Sequence, residues 1–204
     1  MSSFTVRHAW IAVAAAVAVG AVGAPAHAQL VPSQLPCLPG LTCPDEKPSV
    51  DACANEGLAP AAGNTHKIRR ATLCLLNRER TSRGMAPLHG NKKLRRVATS
   101  YARQMAIKDF FDHVSPSGST FADRIKSSSY LANANGYDIG ENLAWGGASL
   151  ATPQQIVSNW MTSPGHRANI LNAAFRDIGI GIALGVPVPG LTGATYVNEF
   201  GRRG

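Results

Sequence analysis

Ile178-Gly179-Ile180-Gly181-Ile182-Ala183-Leu184 alternates a branched or bulky apolar residue with glycine or alanine. A period of two is the pattern of a β-strand, and here one face is bulky and the other nearly bare. A bare strand face lets a helix or a ligand come close to the backbone. The segment from Gly185 to Gly193, with Pro187 and Pro189, reads as a hairpin connection, and Ala194 to Phe200 as the returning strand. The chain therefore ends in antiparallel sheet.

Upstream the period changes to that of helices. Asn64 or Thr65 can cap a helix running to about Arg83, with Ile68, Ala71, Leu75 and Leu76 as its buried stripe and Gly84 as its stop. Asn91 caps a second helix to about Lys108, whose apolar positions Leu94, Val97, Ala98, Tyr101, Ala102 and Met105 step by three and four. Thr120-Phe121-Ala122-Asp123 is a capping-box pattern that opens a short helix. Thr152-Pro153-Gln154-Gln155 opens another, which stops before Pro164. Helices followed by a small, mainly antiparallel sheet give an α+β fold with helices packed on the sheet.

The N-terminal part reads differently. Arg7 precedes an apolar run from Ala9 to about Gly23 that ends in Ala26-His27-Ala28, so residues 1–28 read as a signal peptide and the mature chain starts at about Gln29. That makes the protein secreted, with no transmembrane segment expected in the mature chain. Residues 29–62 are rich in Pro, Ala and Gly and read as a disulfide-pinned arm or linker; 63–204 is the folded domain. The four cysteines allow two disulfides in three pairings, of which Cys37–Cys43 and Cys53–Cys74 are favoured.

Charge is uneven. The formal net charge is +8, Arg7 belongs to the leader, and residues 29–62 hold four acids against one lysine, which leaves +10 on 63–204. On an exported protein such a surface meets anionic envelope polymers or lipid headgroups rather than nucleic acid. The opening turn of the second helix, Lys92, Lys93, Arg95 and Arg96, sets like charges at the positive end of the helix dipole, a penalty that a bound anion would offset.

Two further stretches hold the chemistry. Gly140-Glu141-Asn142-Leu143-Ala144-Trp145-Gly146 sets one carboxylate between glycines, where a sharp bend is expected. Trp160-Met161-Thr162-Ser163-Pro164-Gly165-His166 ends a helix and offers a histidine where the next begins, and His113 follows Phe110-Phe111-Asp112. Trp145 and Tyr137 add aromatic surface, while Trp160 reads as core. Glu199, near the end of the last strand, can join the site but reads first as an exposed strand carboxylate.

His113-Val114-Ser115-Pro116, Gly140 to Ala144, Trp160 to Leu171, Tyr196-x-x-x-Phe200-Gly201 and, in the first helix, Leu75-x-Asn77-x-x-Arg80 together resemble the CAP superfamily (cysteine-rich secretory proteins, antigen 5 and pathogenesis-related 1 proteins), and within it the bacterial SCP-like extracellular branch. The resemblance covers about residues 65–204. It implies an α-β-α sandwich and a cleft that typically holds two histidines and two glutamates, which in some members bind a divalent metal. His113 and Glu141 match one of each. Ser163 stands where the second glutamate is usual and Thr195 where the second histidine is, with His166 as a substitute. The candidate cleft residues are therefore His113, Glu141, Asn142, Ser163, His166 and Tyr196, and His113, Glu141 and His166 are a candidate zinc set.

Two functions follow as expectations. One is a binding module for a cell-envelope component, a lipid or a secreted protein partner. The other is a metal-dependent hydrolase using His113, Glu141 and His166. No Gly-x-Ser-x-Gly elbow is present, and Ser115 and Ser163 each precede a proline, which is turn chemistry.

Overall fold

The computed structural model describes residues 52–204. The expected leader and the expected Cys37–Cys43 bond lie outside them. The elements follow in the order α1 (Thr65–Thr81), β1 (His89–Gly90), α2 (Lys92–Ile107), α3 (Phe121–Lys126), β2 (Tyr137–Gly147), a 3-10 turn (Ala148–Ala151), α4 (Pro153–Thr162), α5 (Pro164–Ile170), β3 (Asp177–Leu184) and β4 (Gly193–Arg203).

The sheet has the order β1-β3-β4-β2. β3 and β4 form the antiparallel hairpin expected from the alternation, and β4 pairs with β2 along its full length. β1 pairs with β3 in parallel, at His89↔Asp177 and Gly90↔Ile178 alone. Helices cover both faces, so the fold is an α-β-α sandwich with two apolar layers. Ile178, Ile180, Ile182, Tyr196 and Phe200 meet Ile68, Leu75 and Leu76 of α1 and Ile156 and Trp160 of α4. Ala183, Val197 and Leu143 meet Ala98, Tyr101, Ala102 and Met105 of α2 on the other face.

The bare face of β3 is what seats α2. A Cβ placed on Gly179 would run into the backbone of Leu94 and Arg95, and one on Gly181 into that of Ala98 and Thr99. The helix, not a ligand, uses the space.

β2 corrects the sequence reading. Gly140 to Gly146 forms strand throughout, not a bend. Its glycines serve close packing instead. A Cβ on Gly140 would lie 3.0 Å from the Phe175 ring, and one on Gly146 would collide with the Leu150 carbonyl.

Local signals worked as caps and pins. Asn91 Oδ1 accepts from the backbone of Lys93 and Leu94, and Thr120 and Asp123 form the full capping box. Asn64 precedes α1 but its side chain turns back to Ala59 and Ala61 rather than capping. Asn77 bonds both polar backbone atoms of Leu88, which fixes the extended link. Arg80, wholly buried, donates to the carbonyls of Ala86, Ile170, Asn172 and Phe175 and so ties α1 to the turn after α5. Burial, with Arg176 nearby, lowers its pKa. The Leu75-x-Asn77-x-x-Arg80 motif is thus structural. Cys53 is bonded to Cys74 of α1, with Leu58 packed on the same core and Gln154 donating to the Glu56 carbonyl.

Candidate functional site

The site forms where the outer strand β2 meets the central strand β4. Glu141 and Glu199 stand directly opposite each other, so their side chains share the α2-facing side of the sheet. Gly179 of β3 lies opposite Glu199 on the other side, and the α2 backbone at Leu94 and Arg95 fills the space its missing side chain leaves. Both glutamates are buried, Glu199 completely.

Glu141 is held at both oxygens. His113 Nδ1 lies 2.7 Å from Oε1, and Arg124 Nη2 donates to Oε2 at 2.8 Å. Arg124 projects from α3. Its Nη1 donates to the Ser119 carbonyl and its Nη2 also to the His113 carbonyl, so one guanidinium closes the 113–119 loop onto β2. The Tyr101 ring lies under it, with the guanidinium carbon 3.3 Å from the ring centre, a cation–π contact in a water-poor setting. Tyr101 OH donates to the Asp112 carbonyl. Burial pushes its phenol up to about 12, against the opposing effect of Arg124.

Glu199 lies deeper. Among the described residues no N–H or O–H donor reaches either of its oxygens. Burial first, then the charge of Glu141 and a hydrogen bond with it, hold the carboxyl protonated well above the usual carboxylate range; Arg124 pulls the other way. The proton belongs to the buried pair rather than to one residue alone.

The two histidines come from different layers. His113 follows α2, and its side chain is 52% exposed. Its hydrogen bond with Glu141 raises its pKa, and burial opposes that. The same bond fixes Nδ1 as the proton-bearing nitrogen and leaves Nε2 for solvent or a ligand. His166 sits on α5, half-buried; burial lowers its pKa, and so does the charge of nearby His113. α5 is stitched to β2 by amides. Asn142 Nδ2 donates to the His166 carbonyl, and Asn169 Nδ2 donates to the Glu141 carbonyl and to Asn142 Oδ1.

The structure thus pairs His113 with Glu141, sets His166 near enough to His113 for their charges to interact, and places the other expected residues elsewhere. Asn142 is buried on the opposite face and holds α5. Tyr196 lies in the core, its ring edge-on to Trp160 and its hydroxyl bonded to the Ala151 carbonyl. Ser163 is the bend between α4 and α5. Ser115 Oγ is engaged with Ser117 Oγ and the Ser119 amide, not with a histidine.

Sequence reasoning missed Arg124 and Tyr101 and favoured an exposed Glu199 where the structure buries it. Glu199 was legible in principle. It shares a strand face with Val197, and a strand at the centre of a three-layer fold is buried on both faces. Arg124 carried no local signal beyond its place in the first turn after the Thr120 cap.

A zinc centre does not fit these donors. Arg124 stands at the carboxylate where a cation would have to sit, and Glu141 already accepts from two partners. Among the described residues no group of three or more His, Cys, Asp or Glu side chains is arranged to hold a metal ion. The cluster is a hydrogen-bonded lock between loop, sheet and α5.

The other concentration of charge lies at the opposite edge of the sheet. Arg69 and Arg70 of α1 and Lys92, Arg95, Arg96 and Arg103 of α2 line two adjoining cavities of about 220 and 540 Å³. Neither lining includes an acidic residue.

Comparison with known proteins agrees with this architecture. The CAP model, described as the cysteine-rich secretory protein family, matches residues 73–186, more than half of the chain. The Bacillus subtilis protein YkwD, described as uncharacterized, is 38% identical over 107 residues, which are 52% of this chain and 39% of that protein. The chain therefore spans less than half the length of that relative. Two solved structures share the fold. An extracellular protein containing an SCP domain from Bacillus anthracis has a TM-score of 0.54 at 24% identity, covering 71% of this chain and 45% of that one. An outer surface protein from Borrelia burgdorferi has a TM-score of 0.55 at 22% identity, covering 72% of this chain and 99% of that one.

Proposed function

The chain belongs to the CAP family of cysteine-rich secretory proteins, and from that premise we propose that it works outside the cell as a binding module for an anionic component of the cell envelope. One observation carries the reading: six cations of α1 and α2 line a continuous concave surface without a single carboxylate among them. A face required only for solubility would intersperse both signs. Such a field draws in polyanions and is screened by salt. The expected leader, residues 1–28, supports an extracellular place of work.

The cleft supports binding over hydrolysis. Glu141 is paired with Arg124, and among the described residues neither Ser115 nor Ser163 makes a hydrogen bond to a histidine. A general base bonded to a guanidinium is poorly placed to take a proton.

Co-sedimentation of the mature chain with bacterial envelope fractions tests the proposal. Binding is expected at about 50 mM salt and is expected to fall at least tenfold by about 500 mM, where the Debye length shrinks to a few ångströms. His113→Ala is expected to bind as the wild type does. Absence of binding at low salt, or binding indifferent to salt, would overturn the reading.

A further inference from the structure

We infer that the groove between α1 and α2 is the recognition site, and that its ligand is a linear polymer carrying phosphate groups along its length. The inference deepens the anionic-envelope reading and rests on it.

The groove lies where β1 ends. β3 has a strand neighbour on this edge only as far as Ile178, and among the described residues the rest of the edge has none. Arg69, Arg70 and Leu73 border it from one helical layer, and Asn91, Lys92 and Arg95 from the other. The second cavity continues from Arg69 and Arg95, which it shares with the first, along Arg96, Thr99, Ser100 and Arg103. Lys92 and Arg103 are about three turns apart on α2, roughly 16 Å of helix at 1.5 Å per residue. A track of that length exceeds one phosphate and suits a chain of them.

Three features narrow the chemistry. Five of the six cations are arginines, whose planar fork bonds two oxygens of one phosphate or carboxylate at once. Arg69 and Arg95 stand close enough that each other's charge matters: partial burial and then Arg95 lower the Arg69 pKa, and no salt bridge to either is formed among the described residues. Finally, apart from the half-buried Leu73 at the border, the apolar side chains of the groove are its floor. Ile178 and Ile180 are 1% and 3% exposed, so they cannot insert into a bilayer. The large exposed apolar residues, such as Ile107, Phe111 and Leu150, lie outside the groove lining. A concave basic track with a sunken floor fits a chain better than a membrane surface.

The test measures binding of the mature chain to medium-chain inorganic polyphosphate, to pyrophosphate and to vesicles of phosphatidylcholine with and without phosphatidylglycerol. Wild type is expected to prefer polyphosphate to pyrophosphate by at least about tenfold, with a salt slope that falls by about one for each phosphate contact removed. The Arg69→Gln/Arg95→Gln/Arg103→Gln variant is expected to lose at least tenfold, while Arg202→Gln, remote on β4 and paired with Asp138, is expected to bind as wild type does. Arg95→Lys/Arg103→Lys, which keeps charge and fold, is expected to fall between them. Equal loss in the triple variant and the Arg202→Gln control would overturn the groove. Binding to phosphatidylglycerol vesicles without binding to polyphosphate would overturn the polymer while leaving an anionic envelope ligand standing. Binding to none of the probes at low salt would overturn both readings.

Discussion

At Glu199 a carboxyl group is shut inside the sheet with Glu141 across from it and Arg124 on the far side of Glu141. Burial and the Glu141 charge raise its pKa well above the ordinary value of 4.5, so the folded chain keeps a proton that the unfolded chain releases. Between those two pH values the folded state binds more protons than the unfolded state, and stability falls as pH rises. This is the reverse of the usual carboxylate, whose depressed pKa adds stability above the acid range. Glu199→Gln keeps the shape and does not titrate. Its melting temperature is expected to match wild type at about pH 4 and to exceed it at about pH 8. Parallel pH profiles for the two proteins would show that Glu199 does not hold the proton. His113 and Glu141 were legible in the sequence because the motifs around them are local. Arg124 was not, and for Glu199 only its burial was, because what makes each of them part of the site is a partner 17 or 58 positions away, supplied by the 113–119 loop and by strand pairing.

Among the elements, β3 shows how far a sequence pattern reaches. Its period of two predicted a strand with one bare face, and the structure puts α2 on that face at Gly179 and Gly181. The same residue type misled at β2, where glycine next to Glu141 read as a bend. In a three-layer fold, glycine on a strand serves close approach as often as turning, and only the neighbouring layer decides which. Gly181→Ala measures the seating directly. The added Cβ would meet helix backbone, which cannot rotate aside as a side chain can. Chemical denaturation is expected to show a loss of about 3 kcal/mol, at the upper end for overpacking. A loss under about 1 kcal/mol would mean that α2 rides on its side chains and can lift without penalty.

For the whole molecule, a small core with a heavily basic exterior must tolerate its own repulsion, and a covalent tie helps it do so. Cys53 and Cys74 are 21 positions apart, and the bond fixes the strap from Cys53 to Leu58 against α1 and α4. Beside it, Arg78 pairs with Glu56, a half-exposed pair of small value, and the Gln154 backbone N–H donates to the Glu56 carbonyl. A loop of this length raises stability by about 3 kcal/mol when closed, chiefly by restricting the unfolded chain. Reductant would also open Cys37–Cys43 if that pair forms, so the Cys53→Ser/Cys74→Ser variant isolates the one bond. Urea titration of that variant is expected to show the loss of about 3 kcal/mol, with its polyphosphate affinity below the melting temperature unchanged. The groove residues Arg69, Arg95 and Arg103 depend on α1 and α2 seating against the sheet, not on the strap. A variant that keeps its stability but loses its ligand would place the strap in the recognition surface, and would move the site from the helices to the segment that the disulfide holds.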